Sequence, residues 1–183
     1  MKTKIRLYIS DPLNKLFNLN TRGLEEKFSI LDGAWKKQEK KILNGLEKIT
    51  GFYFLQNYID VFLVDPNTSH SCSHPIIIGT NGSSSKFVRI LIHELIHKLT
   101  WDNTIKIDWH TKIEKIFIKE SRLCSDHVMV HAVMEALYKD ILNKPEEIEE
   151  DIKMCKDMPA YKKAWEIVRE KGYENILEVL KNK

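Results

Sequence analysis

His93 and His97 stand four residues apart, with Glu94 directly after the first, in the run His93-Glu94-Leu95-Ile96-His97. On a helix, residues four apart lie one above the other, so both imidazoles can reach a single metal ion. A carboxylate beside the first histidine can take a proton from water on that ion. The chemistry encoded is metal-assisted hydrolysis, with Glu94 as general base and then general acid. Zn2+ is the expected cofactor, although imidazole sets also accept other transition metals.

A catalytic zinc site has three protein ligands and keeps one position for water. The third ligand does not follow from an extended H-E-x-x-H-x-x-G-x-x-H run, because position 100 is Thr and position 103 is Asn. A second source lies downstream. His127, His131 and Glu135 fall at i, i+4 and i+8 in an otherwise apolar stretch, one stripe down a helix face. His131 is the first choice as ligand. Glu135, one turn on, then orients an imidazole, and His127 is left to hydrogen-bond an oxyanion. Glu135 and His127 are the alternative third ligands.

These residues need elements to hold them. Lys86–Trp101 reads as a helix whose apolar positions nearly surround it, so it is buried, and His93, Glu94 and His97 are its polar exceptions. Ser83 to Ser85 offer N-cap hydroxyls. Ahead of it, Tyr58–Val64 and Pro75–Gly79 read as strands, with a polar loop Asn67–His74 between them. Lys4–Ser10 reads as a third strand, stopped by Asp11-Pro12. Leu24–Ile49 reads as one long helical stretch ended by Gly51. Ser125–Leu142, capped by Ser125 or Asp126, carries the second stripe. Trp109–Ile118, Glu146–Asp157, Ala160–Lys171 and Glu174–Lys181 read as further helices. The fold class is therefore α+β, mostly helical, with a small β-sheet near the H-E-x-x-H helix.

Composition is that of an ordinary globular chain: 43% hydrophobic, 30% charged, net charge +3 over 183 residues. Interspersed Lys and Glu give no case for nucleic acid, and no apolar run approaches a membrane span. Cys72, Cys124 and Cys155 are too few and too scattered for a disulfide framework, which points to a reducing, cytoplasmic setting. His70 and His74 flank Cys72 with ligand-like spacing, but a solvated loop is the plainer reading. Trp101, Trp109 and Trp165 are expected in the core or an interface, His110 at the surface, and the acidic run Glu146–Asp151 in solvent.

On His93, Glu94, His97 and the face His127, His131, Glu135, the stretch from Tyr58 to Leu142 resembles gluzincin-type zincins. It is similar in particular to the small minigluzincin scaffolds. The resemblance implies a zinc-dependent metallopeptidase, a hydrolase of peptide or protein substrates, often held latent by a flanking segment. A gluzincin uses Glu on the second helix, with an acidic residue one turn later. Here Lys139 follows Glu135 by one turn, whereas Glu135 itself follows His131, which keeps His131 in front. The expected organisation is a zincin-like catalytic domain over 1–143 and a C-terminal helical extension over 144–183 packed on it. That extension is a candidate cover for the cleft. The edge of the strand Pro75–Gly79 is the expected substrate-pairing surface. The competing reading is a zinc-binding zincin-fold protein or interaction module without turnover. Oligomeric state is not encoded in these features.

Overall fold

The computed structural model describes residues 3–16, 23–64 and 71–182. The chain is mostly helical with one small mixed sheet, an α+β architecture. It divides into two compact units: residues 1–40 with 54–98, and residues 41–53 with 99–183.

The first unit is built on four strands, β1 (Lys4–Ile9), β2 (Tyr58–Val64), β3 (Ser71–Ser73) and β4 (Ile76–Gly79), in the order β1-β2-β4-β3. β1 pairs parallel with β2, from Lys4 opposite Tyr58 to Ile9 opposite Leu63, and β2 pairs parallel with β4. β3 runs antiparallel to β4. Alternation places Ile5, Leu7, Ile59, Val61 and Leu63 in the core. The opposite face is polar and aromatic: Arg6 pairs with Asp60 at 2.7 Å, and Tyr8 stacks on Phe62.

The sequence places the strands well and their neighbours less so. β4 is paired on both sides, so it offers no edge; among the described residues the edge on that side belongs to β3. β3 itself lies inside the stretch expected as loop, because Ser-Cys-Ser carries no strand signal and pairs only through tertiary context. Residues 67–70 of that loop, His70 included, lie outside the described residues. Asp11-Pro12 ends β1 as expected but opens a short helix, α1 (Asp11–Leu16), where proline's missing N–H costs nothing. The long helical stretch is two helices, α2 (Leu24–Lys36) and α3 (Glu39–Thr50). Glu39 Oε1 accepts the Ile5 N–H at 2.7 Å, tying the start of α3 to β1. Gly51, at φ +72°, ends α3.

α4 (Ser84–Asp102) carries the H-E-x-x-H run. Gly82 turns the chain at φ +94°, and the Ser83 hydroxyl accepts the Lys86 N–H at 3.2 Å to cap the helix. Phe87, Val88, Leu91, Ile92, Leu95, Ile96 and Leu99 are all buried. Helix α4 belongs to the first unit as far as Lys98. Among the described residues no helix is long and apolar enough to cross a membrane.

The second unit is helical. α5 (Trp109–Ile116) is capped by Asp108, which accepts the Thr111 N–H at 3.0 Å. α6 (Arg122–Ala136) is capped by Ser121, not by Ser125 or Asp126; Ser121 Oγ accepts from the Cys124 N–H. The three added residues form a first turn that apolar periodicity alone does not mark. α6 passes into a π-helical segment, Leu137–Leu142, closed by Asn143 in the left-handed region at φ 56°. Gly45 of α3 lies against this segment: a Cβ there would sit 2.7 Å from Leu137 Cδ1. α7 (Glu146–Met154), α8 (Pro159–Lys171) and α9 (Tyr173–Lys181) follow. α6 packs chiefly on α8 and α9, and its residues from Val128 to Glu135 are all buried.

Candidate metal centre

In the first unit, His93 and His97 project from one face of α4 with their Nε2 atoms 3.2 Å apart. Two imidazoles on one tetrahedral ion, at roughly 2.0–2.1 Å each, hold their nitrogens about 3.3 Å apart. The pair therefore fits one ion with almost no movement. Both side chains are half-buried, which leaves a route for solvent.

Glu94, by contrast, is buried, at 4% exposure. Burial pushes its carboxyl up to about 7, opposed by a hydrogen bond from Ser71. Ser71 opens β3, so the sheet edge and helix α4 meet at this carboxylate. A base poised near neutrality can both take and return a proton at pH 7.

In the second unit, α6 presents the expected stripe. His127 is 3% exposed, His131 0% and Glu135 8%. Their surroundings differ. His127 Nδ1–H donates to the Leu123 carbonyl at 2.7 Å, which sets the tautomer and leaves the lone pair on Nε2. Burial holds its pKa below the usual histidine range, so the ring is neutral at pH 7 and ready to ligate. Tyr161 of α8 lies against this ring, centroids 3.8 Å apart. His131 instead stacks flat on Trp165, with centroids at 4.3 Å and planes 11° apart. Glu135 pairs with Lys139 at 2.5 Å.

His93 and His97 on α4, and His127 on α6, each offer the imidazole donor chemistry of a zinc ligand, and Glu94 stands beside the first of them. Residues read from sequence as bystanders turn out otherwise. His110 is buried, not at the surface, and its Nδ1 meets Asp126 at 2.9 Å. Trp101 is 53% exposed rather than in the core, whereas Trp109 and Trp165 are core residues as expected. Asp151, the end of the run expected in solvent, is 2% exposed and accepts from Trp165 Nε1–H at 3.0 Å. The i, i+3 relation of Asp151 to Ile148, also buried, is the one sequence signal that could have turned it inward. Cys72 is exposed; Cys124 and Cys155 are buried.

Comparison with known protein families, with curated proteins and with solved structures finds no match for this chain.

Proposed function

We propose that this chain is a zinc-dependent metallopeptidase of the zincin type, related in layout to the gluzincins. The observation that carries the reading is the α4 turn itself: two imidazole nitrogens 3.2 Å apart beside a buried carboxyl raised to about 7. A purely structural zinc site closes its shell with four ligands and has no use for such a base.

His93 and His97 supply two ligands. We assign the third to His127, ahead of His131 and Glu135. Its Nδ1–H is held by a backbone carbonyl, the arrangement that orients a ligating imidazole through its other nitrogen. His131 groups instead with Asp151 and Cys155, and Glu135 pairs with Lys139. A zinc ion bound here supplies Lewis acidity and a water of lowered pKa. Glu94 holds the proton taken from the attacking water and delivers it to the leaving amine. Ser71 steadies the Glu94 carboxylate and sits on the β3 edge. That edge is the surface on which an extended peptide can add as a strand, in place of the β4 edge expected from sequence. Tyr161, lying tilted against His127, supports a latent enzyme in which α8 covers the ligand face of α6.

Elemental analysis and peptidase assays on wild type, Glu94→Gln, His97→Ala and His127→Ala test the reading. Glu94→Gln should keep its zinc and lose turnover by roughly 10²–10⁴-fold. His97→Ala and His127→Ala should lose turnover and the zinc held by the α4 pair, one equivalent fewer than wild type. A Glu94→Gln variant as active as wild type would exclude the mechanism. Zinc retained at full stoichiometry in His127→Ala would exclude the third ligand.

A further inference from the structure

The second unit brings together three metal-ligating side chains that the sequence separates. Asp151 in the last turn of α7 and Cys155, the helical-conformation residue that caps it, stand four apart on one face. His131 comes from the middle of α6. One donor atom from each, a ring nitrogen, a carboxylate oxygen and the thiol sulfur, lie within 4.8 Å of one another. All three residues are buried, at 0%, 2% and 2% exposure. Donors on a tetrahedral zinc ion lie about 3.3–3.8 Å apart, so modest side-chain rotations close the set around one ion.

We propose that His131, Asp151 and Cys155 supply three ligands of a second site for a thiophilic divalent ion of the zinc class, separate from the α4 histidines, with one enclosed water completing the shell. The donor chemistry selects the ion: a thiolate with an imidazole favours zinc over magnesium or calcium, which take oxygen ligands. Charge closes as well. A divalent ion with one thiolate and one carboxylate is neutral, which is what a site without solvent access requires. The surroundings are arranged as outer partners of a metal site are. Trp165 Nε1–H donates to Asp151 Oδ2 at 3.0 Å and orients the carboxylate, while the indole stacks on the His131 ring and fixes its plane. With no ion bound, the Cys155 Sγ–H donates toward Asp151 Oδ2 at 3.7 Å. Binding replaces that proton, which leaves to solvent, one per ion. The ion would tie α7 to α6 at a point where no covalent link exists.

The test uses the full chain with Cys72 and Cys124 replaced by Ala and His97 by Ala, so that Cys155 is the sole thiol and the α4 pair is broken. After loading with zinc and removal of excess ion, this protein should retain about one zinc per chain. Its X-ray absorption spectrum should show a sulfur neighbour at ~2.3 Å. Adding Cys155→Ser should remove the sulfur and most of the zinc, with circular dichroism reporting that the helices remain. If the triple variant is poorly folded, wild-type protein is measured instead with Cys155→Ser beside it. Loss of all zinc in the triple variant, or a shell of nitrogen and oxygen only, overturns the proposal. The two sites are told apart by the same data. A wild type that binds one zinc through sulfur, unchanged by His97→Ala, sinks the peptidase reading and leaves this site standing.

Discussion

Trp165→Phe isolates one hydrogen bond in the helical unit. Phenylalanine keeps a six-membered ring against His131 but removes the Nε1–H that Asp151 Oδ2 accepts at 3.0 Å. Asp151 is 2% exposed, so water cannot replace the lost donor, and the Cys155 thiol at 3.7 Å is a weak substitute. A hydrogen bond to a buried charged group contributes about 1.5–3 kcal/mol. The missing pyrrole half leaves roughly 40 Å3, which at about 24 cal/mol per Å3 adds ~1 kcal/mol. The sum is ~3 kcal/mol, or roughly 6–12 °C in Tm for a chain of this size. Trp109→Phe is the matched control. Trp109 is fully buried and packs on Phe52 with centroids at 4.8 Å, but its Nε1 has no hydrogen-bond partner among the described residues. It should lose only the packing contribution, about 1 kcal/mol and roughly 2–4 °C. Thermal unfolding followed by circular dichroism, with chelator present so that bound metal plays no part, measures both. Equal losses in the two variants would refute the claim that the indole N–H holds the Asp151 carboxylate.

Three further outcomes follow from other contacts. Asp108→Ala should cost about 1 kcal/mol at neutral pH, since Asp108 caps α5 through Thr111. Those hydrogen bonds hold the Asp108 carboxyl below its ordinary value, so the benefit is complete above the unfolded-chain pKa and disappears as pH falls through the folded one; denaturant melts of both proteins at neutral and strongly acidic pH should converge at the acid end. Cys72 is exposed, whereas burial, with Glu120 next in effect, pushes the Cys124 thiol up to about 11. At pH 8 only about one Cys124 in a thousand is thiolate, so alkylation mapped by mass spectrometry should modify Cys72 first by a wide margin. Tyr161→Ala removes the ring lying on His127. If α8 holds the enzyme latent, peptide turnover should rise severalfold, the equivalent of about 1 kcal/mol of lost ring contact; unchanged or lower turnover in a folded, zinc-loaded variant argues against latency.

How much was legible beforehand depended on the range of the interaction that decides each feature. The α4 turn was readable because helix geometry is local. Four residues of spacing put His93 over His97, and the apolar surround of the motif announced a buried helix with three polar exceptions. β2 was equally plain, since a run of β-branched and aromatic residues ahead of Asp-Pro describes a strand without reference to its partners. The stripe on α6 was visible as a stripe and no more. Which member would ligate depends on what meets each ring: Leu123 O and Tyr161 at His127, Trp165 at His131, Lys139 at Glu135. The sheet order was hidden for the same reason. Ser71–Ser73 has no strand propensity, and it becomes the edge only because β4 is already paired with β2.

By itself, then, the sequence determined the chemistry available to this protein: a histidine pair with a carboxylate on one buried helix, and a second helix rich in ligands. Periodicity encodes that much, because neighbours along a helix are neighbours in space. Tertiary structure alone decided that Asp151 turns inward from an acidic run, that Cys155 and His131 join it, and that His110 is buried against Asp126. Those positions follow from desolvation and from hydrogen bonds such as Trp165 to Asp151 and His110 to Asp126, between residues 14 or more apart, and no local pattern records them.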